Sequence, residues 1–384
     1  MTGALDFAVV RAFLAPRHLQ LAEQLDDLVE HLDEVPPAED DVEAREQARQ
    51  LLTALAEGSW LTPIGAQDFR ACCQIREALG YASSLADAVF ALQALGITPI
   101  VLFGSAEQHD WVEQALAGEA MGAFAMTEPY AGSDVGSMTT AAVRDGDDYV
   151  LDGTKTFISN AGIADFYTTF AVTDPGAGTR GISAFIVPGD AEGFTFVGPQ
   201  VMSEPHPLGE IRFDGCRIPA SARLGEEGEG FKIGMATLDR LRPTVGAAAC
   251  GMAARALDEA VAHAVKRRQF GERIADFQLT QEKLGRGATE LAAARLLVYR
   301  AAWERDSGAD RTAVESAMAK SFATETAQRI VDDAVQILGG RGVMADNPVD
   351  RLYRAVRSLR IYEGTTEIQR LIIAAEMISE TEAE

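Results

Sequence analysis

The residue best placed to do chemistry in this sequence is Glu363, a lone carboxylate followed directly by Gly364. Gly364 gives the backbone access to conformations that other residues avoid, so the pair predicts a sharp turn. Thr366 and Gln369, three positions apart, predict a capping box that starts the last helix of the chain. A carboxylate on such a turn is aimed by the backbone, as a general base must be. Its local sequence is also compatible with a solvated acid at a helix start.

Five segments of the sequence resemble, in the same order, motifs of the acyl-CoA dehydrogenase family. The first is the Thr-Glu-Pro-Tyr-Ala-Gly-Ser-Asp run of residues 127–134, and the last is the Tyr-Glu-Gly-Thr turn of residues 362–365. The other three lie between them, at residues 239–243, 267–271 and 336–342. In that family the glutamate of the turn is the catalytic base. The resemblance, which covers the chain from about Met121 onward, therefore implies that Glu363 removes the proton next to the carbonyl of an acyl thioester.

The resemblance also implies FAD as the cofactor, because no side chain can accept the hydride that leaves the next carbon of the acyl group. The segment of residues 124–133 is similar to the loop that lines the flavin in the family. Phe157 and Ser159 stand where the family often has Trp and Thr, and both keep the chemical type. Arg267 resembles an arginine that reaches the pyrophosphate of a flavin held mainly by the neighbouring subunit. The FAD contacts implied in this way are Phe124, Met126, Thr127, Gly132, Ser133, Phe157, Ile158, Ser159, Arg267, Gln269, Phe270, Gln278, Gln336, Gly339, Gly340, Thr365 and Glu367.

The resemblance places the acyl-CoA contacts on several parts of the chain. Asp239 and Arg242 lie three residues apart, hence on one helix face, which in the family meets CoA; a surface ion pair explains them equally well. The acyl pocket is expected to be floored by Tyr362 and by residues 90–99. By resemblance, the developing enolate oxygen is bound by the Glu363 N–H and a ribityl hydroxyl of the flavin. The expected substrate contacts are Ser133, Asp239, Arg242, Tyr362 and Gly364.

Composition limits the classes of protein to which the chain can belong. It has 384 residues, 47% of them apolar, and a formal net charge of −24. Its length and apolar content allow a sizeable core and two or three domains. The acidic balance argues against a nucleic-acid partner, since phosphate binding needs clustered Lys and Arg. No apolar run approaches the ~20 residues that span a bilayer and the N-terminus lacks a leader pattern, so a cytoplasmic protein without a membrane segment is expected. Neither the four cysteines nor any His, Asp and Glu cluster has metal-ligand spacing, so no metal site is predicted.

The elements that must position these residues follow a helix, strand, helix order. Apolar residues recur at three- and four-residue intervals up to about residue 117, for example through residues 19–32 and 44–55. From residue 231 to 377 the helical period returns in four or five long helices. Between these parts lie short β-branched and aromatic runs separated by Gly, Pro and Asp. The runs predicted as strands are 149–151, 166–172, 182–187, 194–197 and 210–213.

This order predicts an α+β multidomain fold with three domains. An N-terminal all-α domain occupies residues 1–119, and a small middle β-barrel or sandwich domain occupies residues 120–224. A C-terminal four-helix bundle occupies residues 225–384. The same arrangement is expected from the resemblance to the acyl-CoA dehydrogenases.

The predicted function is that of an FAD-dependent acyl-CoA dehydrogenase. By resemblance, it is a homotetramer, a dimer of dimers, and passes its electrons to an electron-transferring flavoprotein. Two alternatives keep the fold: a dehydrogenase of a carrier-protein-bound acyl group, and an oxidase that uses oxygen as acceptor. A third alternative is a non-catalytic CoA- or flavin-binding scaffold, against which Glu363 argues. Small residues among 90–99 could admit a branched or cyclic acyl group as well as a short straight one, so the sequence does not select among them.

Overall fold

The structure is a computed structural model that describes residues 5–383. Its first part is helical, and the helical periods predicted through residues 19–32 and 44–55 are confirmed. Asp40 begins the second helix by accepting the Glu43 N–H at 2.9 Å, an ordinary N-cap contact. The α-helices of this part are α1 Pro16–Asp33, α2 Asp41–Glu57, α3 Thr62–Gly65, α4 Phe69–Ala82, α5 Ser84–Phe103 and α6 His109–Leu116.

Helix α5 corrects the expectation that no segment approaches membrane length. Within residues 5–383, it is the one helix long and apolar enough to cross a bilayer by length and composition alone. Asp87 and Gln93 interrupt its apolar run, which is why the sequence did not show a continuous one. Of its most apolar window, 78% is buried inside the protein, as in the core helix of many soluble proteins.

The middle of the chain forms one eight-stranded sheet. Its strand order is β6-β7-β3-β2-β4-β5-β8, and β1 joins it by pairing with β4. Almost every residue of β4 and β5 is buried, so these two strands lie at the centre of the core. The strands are β1 Gly122–Ala125, β2 Ala141–Asp145, β3 Asp148–Ser159, β4 Phe166–Val172, β5 Ile182–Pro188, β6 Phe194–Pro199, β7 Leu208–Pro219 and β8 Arg223–Leu224.

The five predicted strands are confirmed, with β3 and β7 much longer than predicted. Strands β1 and β2 were not predicted because their residues have little strand propensity: β1 is Gly-Ala-Phe-Ala, and β2, Ala-Ala-Val-Arg-Asp, has a single β-branched residue. Sheet pairing decides their conformation instead: β1 runs parallel to β4, and β2 pairs antiparallel with β3. Strand β8 has only two residues, too few to produce a sequence pattern.

The C-terminal part consists of five long or moderately long helices, as predicted. Gly80 on α4 faces the backbone of Ala248 so closely that an added Cβ would lie 2.5 Å from the Ala248 carbonyl oxygen. Glycine at this position therefore allows the two helices to approach. The helices are α7 Gly230–Lys266, α8 Gln278–Asp306, α9 Ala313–Leu338, α10 Pro348–Leu359 and α11 Thr366–Ala383, and a hairpin of β9 Arg268–Gln269 and β10 Glu272–Arg273 separates the first two.

The chain divides into two compact units. The first comprises Met1–Pro36, Asp68–Asp87 and Asp239–Glu384, and the second comprises Pro37–Gln67 and Ala88–Leu238. The three-domain division at residues 119 and 224 stays a prediction. The first unit contains Glu363 and the long C-terminal helices, and the second contains the sheet.

Candidate active site

Glu363 lies on a strained turn between α10 and α11. Its φ is +54° and that of Gly364 is +93°, so two successive residues adopt the left-handed region. A residue with a side chain rarely adopts that region unless the surrounding structure imposes it, and such residues cluster at functional sites. The φ of Gly364 favours glycine there, and an added Cβ would also lie 2.5 Å from the side-chain amide nitrogen of Gln369, which would have to move.

Three side chains from three helices hold the backbone of this turn. Arg242 on α7 donates from Nε to the Glu363 carbonyl at 3.1 Å. Lys320 on α9 donates from Nζ to the Gly364 carbonyl at 2.7 Å. The Gln369 amide on α11 donates to both carbonyls, at 3.2 and 3.0 Å. These contacts fix the direction in which the Glu363 side chain leaves the backbone.

The predicted capping box of Thr366 and Gln369 is wrong. The Thr366 hydroxyl donates to Glu325 Oε1 on α9 at 2.8 Å, and the Gln369 amide is engaged by the turn carbonyls. Thr365 makes the cap contact instead, its hydroxyl accepting the Ile368 N–H at 3.3 Å. A tertiary partner, which the local sequence does not reveal, thus redirects the hydroxyl that the capping box required.

The environment of the Glu363 carboxyl group favours proton uptake. Its Oε2 is buried and accepts no hydrogen bond from the residues that the structure describes. Burial raises the pKa of Glu363, while the positive charges of Arg76, Lys320 and Arg242 oppose the rise without cancelling it. The pKa of Lys320 is lowered to about 8, also because burial disfavours its charge. A carboxylate with raised proton affinity is what a general base requires.

A buried ion pair lies in the same unit and was not predicted from the sequence. Arg76 on α4 is 1% exposed and bonds Asp87 on α5 through two parallel contacts of 2.8 and 2.9 Å. Its third contact is to the Thr244 hydroxyl on α7, at 3.0 Å. The available signal was the occurrence of charged residues among the apolar positions of two helices, where charges are normally excluded unless paired.

Asp239 and Arg242 form the ion pair that their spacing allowed, with 2.6 Å between Nη1 and Oδ1. The Arg242 side chain is only 5% exposed because it turns inward to the Glu363 carbonyl. Tyr362, the other predicted pocket residue of this unit, is 37% exposed. The role of these residues in binding acyl-CoA stays a prediction.

The two predicted flavin segments of the second unit are neighbours in the structure. The Thr156 N–H donates to the Thr127 carbonyl at 3.0 Å, joining the end of β3 to the loop after β1. Phe157 has a φ of +55° and is 62% exposed, so its ring is free to cover a flat ligand. Its N–H donates to Gln200 Oε1 at 2.7 Å, which holds the unusual backbone in place.

The predicted contacts differ in what they can offer to a flavin. The segment of residues 124–133 is predicted as a loop, but Phe124 lies in strand β1. The centroid of its ring is 4.9 Å from that of the Phe170 ring. The side chains of Met126 and Ile158 are buried at 4% and 1% exposure, so only their backbones can face a ligand. Gly132 and Ser133 are exposed.

A buried ion pair supports the first flavin segment from behind. Lys155 on β3 donates to Glu128 Oε1 at 2.8 Å and to the Met126 carbonyl at 3.1 Å. Burial would raise the pKa of Glu128, but the charge and hydrogen bond of Lys155, together with the hydrogen bonds from Thr140 and Thr139, lower it to about 2. Glu128 also accepts the N–H groups of Thr139 and Thr140, so the loop is anchored at both ends.

His206 is a further residue of this region that the sequence analysis missed. Its Nε2 lies 2.7 Å from the Ser159 hydroxyl, and its Nδ1 is buried without a partner among the described residues. Burial lowers the pKa of His206 to about 4, and the nearby charge of Arg45 acts in the same direction. The imidazole is therefore neutral at pH 7. Nothing in the sequence around residue 206 indicated this contact.

The predicted FAD contacts in the C-terminal part of the chain are mostly exposed in the single chain. Phe270, at the tip of the β9–β10 hairpin, is 95% exposed with a φ of +53°. Gly339 ends α9 with a φ of +59°, as the sequence predicted for a helix terminator. Thr365 is partly buried at the start of α11. The other predicted residues of this group, all exposed, are Arg267, Gln269, Gln278, Gln336, Gly340 and Glu367.

These observations fit a flavin dinucleotide. An exposed aromatic ring on a strained backbone, neighbouring hydroxyls and glycines with no atom within 4 Å of an added Cβ allow close approach of a flat ligand. Gly132 in the second unit has this open space, and so, separately, do Gly339 and Gly340 in the first unit.

One group within residues 5–383 has the spacing of a metal site: His18, Asp68 and Asp306. It was not predicted, because the three residues are distant in the sequence. Its ligand atoms already accept protein hydrogen bonds, from the Ala15 N–H to His18 Nδ1 at 3.0 Å and from Arg70 Nε to Asp306 at 2.7 Å. His18 Nε2 lies 2.9 Å from Asp68. The cluster joins α1, α4 and α8, and we assign no metal to it.

The helical bundle, the middle sheet and the carboxyl-bearing turn define a class of oxidoreductases that act on acyl thioesters. Two family models match the chain: "Acyl-CoA dehydrogenase, middle domain" at residues 123–216 and "Acyl-CoA dehydrogenase, C-terminal domain" at residues 228–378. The chain belongs to the acyl-CoA dehydrogenase family.

Individual relatives agree with this assignment. The chain is 43% identical over 315 residues to the probable acyl-CoA dehydrogenase FadE25 of Mycobacterium tuberculosis, covering 81% of each protein. It is also 43% identical over 315 residues to a 3-(aryl)acrylate reductase of Clostridium sporogenes, covering 81% of this chain and 83% of the relative. Butyryl-CoA dehydrogenase of Megasphaera elsdenii superposes with a TM-score of 0.85 and 33% identity, over 97% of this chain and all of the other. The protein is thus an oxidoreductase of this family, and the non-catalytic scaffold is set aside.

Proposed function

We propose that the protein is an FAD-dependent acyl-CoA dehydrogenase in which Glu363 is the catalytic base. The observation that carries the proposal is the Glu363 carboxyl group itself: it sits on a left-handed turn, its Oε2 is buried without a partner, and burial raises its pKa. A carboxylate in such a place is poor as a structural ion-pair partner and suited to accept a proton.

The protein side of the reaction follows from these contacts. Glu363 takes the proton from the carbon next to the thioester carbonyl while Arg242, Lys320 and Gln369 hold the turn still. Among the described residues the Glu363 N–H donates to no protein acceptor, which leaves it available for the developing enolate oxygen. Bound FAD supplies the acceptor for the hydride from the next carbon.

FAD is proposed to lie against Thr127, Ser133, Phe157 and Ser159, with its adenosine part reached by Arg267 and by the glycines after α9. Those glycines and the hairpin are exposed in the single chain, which supports the proposal that they contact FAD bound mainly by a neighbouring subunit of the predicted homotetramer. An electron-transferring flavoprotein as acceptor and a cytoplasmic location are predictions from the family resemblance and the sequence.

A second candidate is the reverse reaction, the reduction of an α,β-unsaturated acyl thioester. The 43% identity to a 3-(aryl)acrylate reductase favours keeping it. The same residues serve both directions, because a base that removes a proton in one direction returns it in the other. A saturated acyl-CoA is added to the protein with oxidised FAD, and an unsaturated acyl-CoA is added anaerobically to the protein whose FAD has first been reduced with dithionite. The rates of flavin bleaching in the first case and of flavin reoxidation in the second compare the two directions.

Replacing Glu363 by glutamine tests the proposal. The amide fills the same volume but cannot take a proton, so Glu363→Gln should retain FAD and bind acyl-CoA while flavin reduction falls by about 10⁴-fold. Stopped-flow absorbance with a panel of acyl-CoAs measures the rate. Glu30→Gln, an exposed position on α1 outside the predicted FAD and acyl-CoA contacts, is the matched control and should reduce flavin at close to the wild-type rate. Equal flavin reduction by wild type and Glu363→Gln would place the base elsewhere.

A further inference from the structure

The segment before β7 presents a histidine from a stiff backbone. His206 stands between Pro205 and Pro207. The ring of a proline fixes its own φ, and a residue that precedes proline is restricted to extended conformations, so little backbone freedom remains around His206. The Pro207 carbonyl accepts the N–H of Asn160, the residue after Ser159, at 2.9 Å. The imidazole is therefore held against Ser159, and its Nε2 lies 2.7 Å from the Ser159 hydroxyl oxygen.

Arg45 on α2 ties the two sides of this contact together. Its Nη2 donates to the Leu208 carbonyl at 2.9 Å, and its Nη1 donates to the Ala161 carbonyl at 2.5 Å. Leu208 follows His206 by two residues, and Ala161 follows Ser159 by two residues. Leu208 and Ser159 are also paired across β3 and β7. All of these residues belong to the second unit, so the contact is fixed within one compact part of the chain.

The surroundings of the imidazole decide which of its nitrogens carries the proton. Burial lowers the pKa of His206 to about 4, so at pH 7 the ring is neutral, with one N–H donor and one acceptor nitrogen. Nδ1 is buried and has no partner among the described residues. A proton on Nδ1 would leave a buried N–H unpaired, which folded proteins rarely contain, whereas an unused acceptor is tolerated more often. The proton therefore belongs on Nε2, which donates to the Ser159 hydroxyl oxygen.

This tautomer determines what Ser159 offers to a ligand. Because the Ser159 oxygen accepts from His206, the hydroxyl hydrogen is left to donate, and among the described residues the hydroxyl has no other partner. We propose that His206 is a positioning residue that makes Ser159 a hydrogen-bond donor to the isoalloxazine ring of FAD. The inference rests on the proposed function, in which Ser159 contacts the flavin, and assigns His206 a role through Ser159.

The chemistry of the flavin suits a donor at this position. An oxidised isoalloxazine ring offers two carbonyl oxygens and two unprotonated ring nitrogens as acceptors, and a single N–H group as donor. A hydroxyl whose direction is already fixed loses little freedom when it meets one of these acceptors. The Thr156 hydroxyl, three residues earlier, is bonded to Gln200, and Thr156 is only 3% exposed. Ser159 is thus the hydroxyl of residues 156–159 that is available to a ligand.

Nuclear magnetic resonance of the FAD-loaded protein tests the tautomer directly. The chain has five histidines, and with nitrogen-15 in their rings the signals of His206 are those that disappear in His206→Gln. In the wild type at pH 7 we expect a protonated Nε2 and an unprotonated Nδ1. A protonated Nδ1 would overturn the inference, because Ser159 would then donate to His206 and have no hydrogen left for the flavin.

FAD affinity tests the role of His206 at the site. Equilibrium dialysis of the holoprotein against a series of FAD concentrations gives the affinity of each variant. Ser159→Ala and His206→Leu should each weaken FAD binding by about two- to tenfold, the effect of one hydrogen bond. The double variant should bind FAD no more weakly than Ser159→Ala, and His206→Gln, which keeps a donor, should bind it almost as tightly as wild type. His31→Leu, at an exposed position on α1, is the matched control and should leave FAD affinity unchanged.

The outcomes distinguish this inference from the proposed function. Losses that add up in the double variant would show that His206 only packs against the site, and would overturn its role while keeping the flavin contact of Ser159. Wild-type affinity in His206→Leu would also overturn it. Unchanged affinity in Ser159→Ala would remove the contact and the role of His206 together, but FAD binding and the loss of flavin reduction in Glu363→Gln would still support the proposed function. A wild-type protein that binds no FAD would defeat the proposed function itself.

Discussion

At the scale of single residues, the candidate site depends on a backbone conformation that is costly to maintain. Glu363 and Gly364 both have positive φ, and three side chains fix their carbonyls. Such strain persists only where the surrounding contacts impose it. The turn therefore stores backbone strain in order to orient one carboxylate. Strain of this kind is expected for a carboxylate that reacts and is not needed for a solvated surface acid.

Gly364→Ala should lower both stability and activity. An alanine there adopts φ near +93° and places its Cβ against the Gln369 amide, 2.5 Å away. We expect a loss of about 1–3 kcal/mol in the free energy of unfolding and at least a tenfold slower flavin reduction. Gly308→Ala is the matched control, because Gly308 has a φ of +90° with no atom within 4 Å. Gly308→Ala therefore carries only the strain of a positive φ, without a side-chain clash. Equal losses in the free energy of unfolding and equal rates of flavin reduction in the two variants would contradict the role of the Gln369 contact.

At the scale of elements, the end of β3 is braced by the segment before β7. Gln200 accepts the Phe157 N–H and donates to the Thr156 hydroxyl, and His206 bonds the Ser159 hydroxyl. These three contacts hold the stretch proposed to face the flavin. Because desolvation lowers the pKa of His206 to about 4 and keeps its imidazole neutral at pH 7, this brace depends on pH.

His206→Gln should flatten the dependence of stability on pH. Burial holds the pKa of His206 at about 4 in the folded protein, below its ordinary value of 6.5. Between these two values the unfolded chain binds a proton that the folded protein does not, so the wild type loses stability as pH falls through this window. Glutamine keeps a donor for Ser159 but does not titrate. Urea unfolding at pH 7 and pH 5 measures the change, and the exposed His31→Gln should keep the wild-type slope. An unaltered slope in His206→Gln would contradict the prediction.

At the scale of the whole molecule, the homotetramer stays a prediction that the exposed apolar side chains can be compared with. Leu279, Leu371, Met377 and Ile378 are each about three-fifths exposed or more in the single chain, on helices α8 and α11. Single exposed apolar side chains are common on protein surfaces, whereas a contiguous apolar patch marks an interaction site. The strong net charge of −24 provides repulsion between copies, so a specific apolar contact would be needed to assemble them.

Arg267→Ala should weaken FAD retention, and dilution below the assembly concentration should do the same to the wild type. Loss of a charged hydrogen bond to phosphate costs about 1.5–3 kcal/mol, or roughly ten- to a hundredfold in affinity. Flavin fluorescence released on dilution measures it, with sedimentation to report the oligomer. Arg217→Ala, whose arginine pairs with Asp145 and Asp148 on the sheet, serves as the control and should bind FAD normally. If FAD affinity is unchanged in both tests, Arg267 is a solvated charge.

The sequence by itself determined the order of helices and strands, the five strands that are rich in β-branched and aromatic residues, and the position of the turn that carries Glu363. These features are local: hydrophobic period, turn residues and short motifs lie within a few residues of one another. The motif at residues 362–365 named the same carboxylate that the structure places on its strained turn. Strands β1 and β2 were not predicted because their pairing with neighbouring strands, rather than the strand propensity of their residues, determines their conformation.

Only the tertiary structure decided what surrounds that carboxylate. Arg242, Lys320 and Gln369 come from α7, α9 and α11, and their convergence has no signature in any one segment. The capping box failed for the same reason, since Glu325 on another helix takes the Thr366 hydroxyl. A local pattern records which face of an element is apolar, whereas the partner of a polar group depends on which elements pack against it.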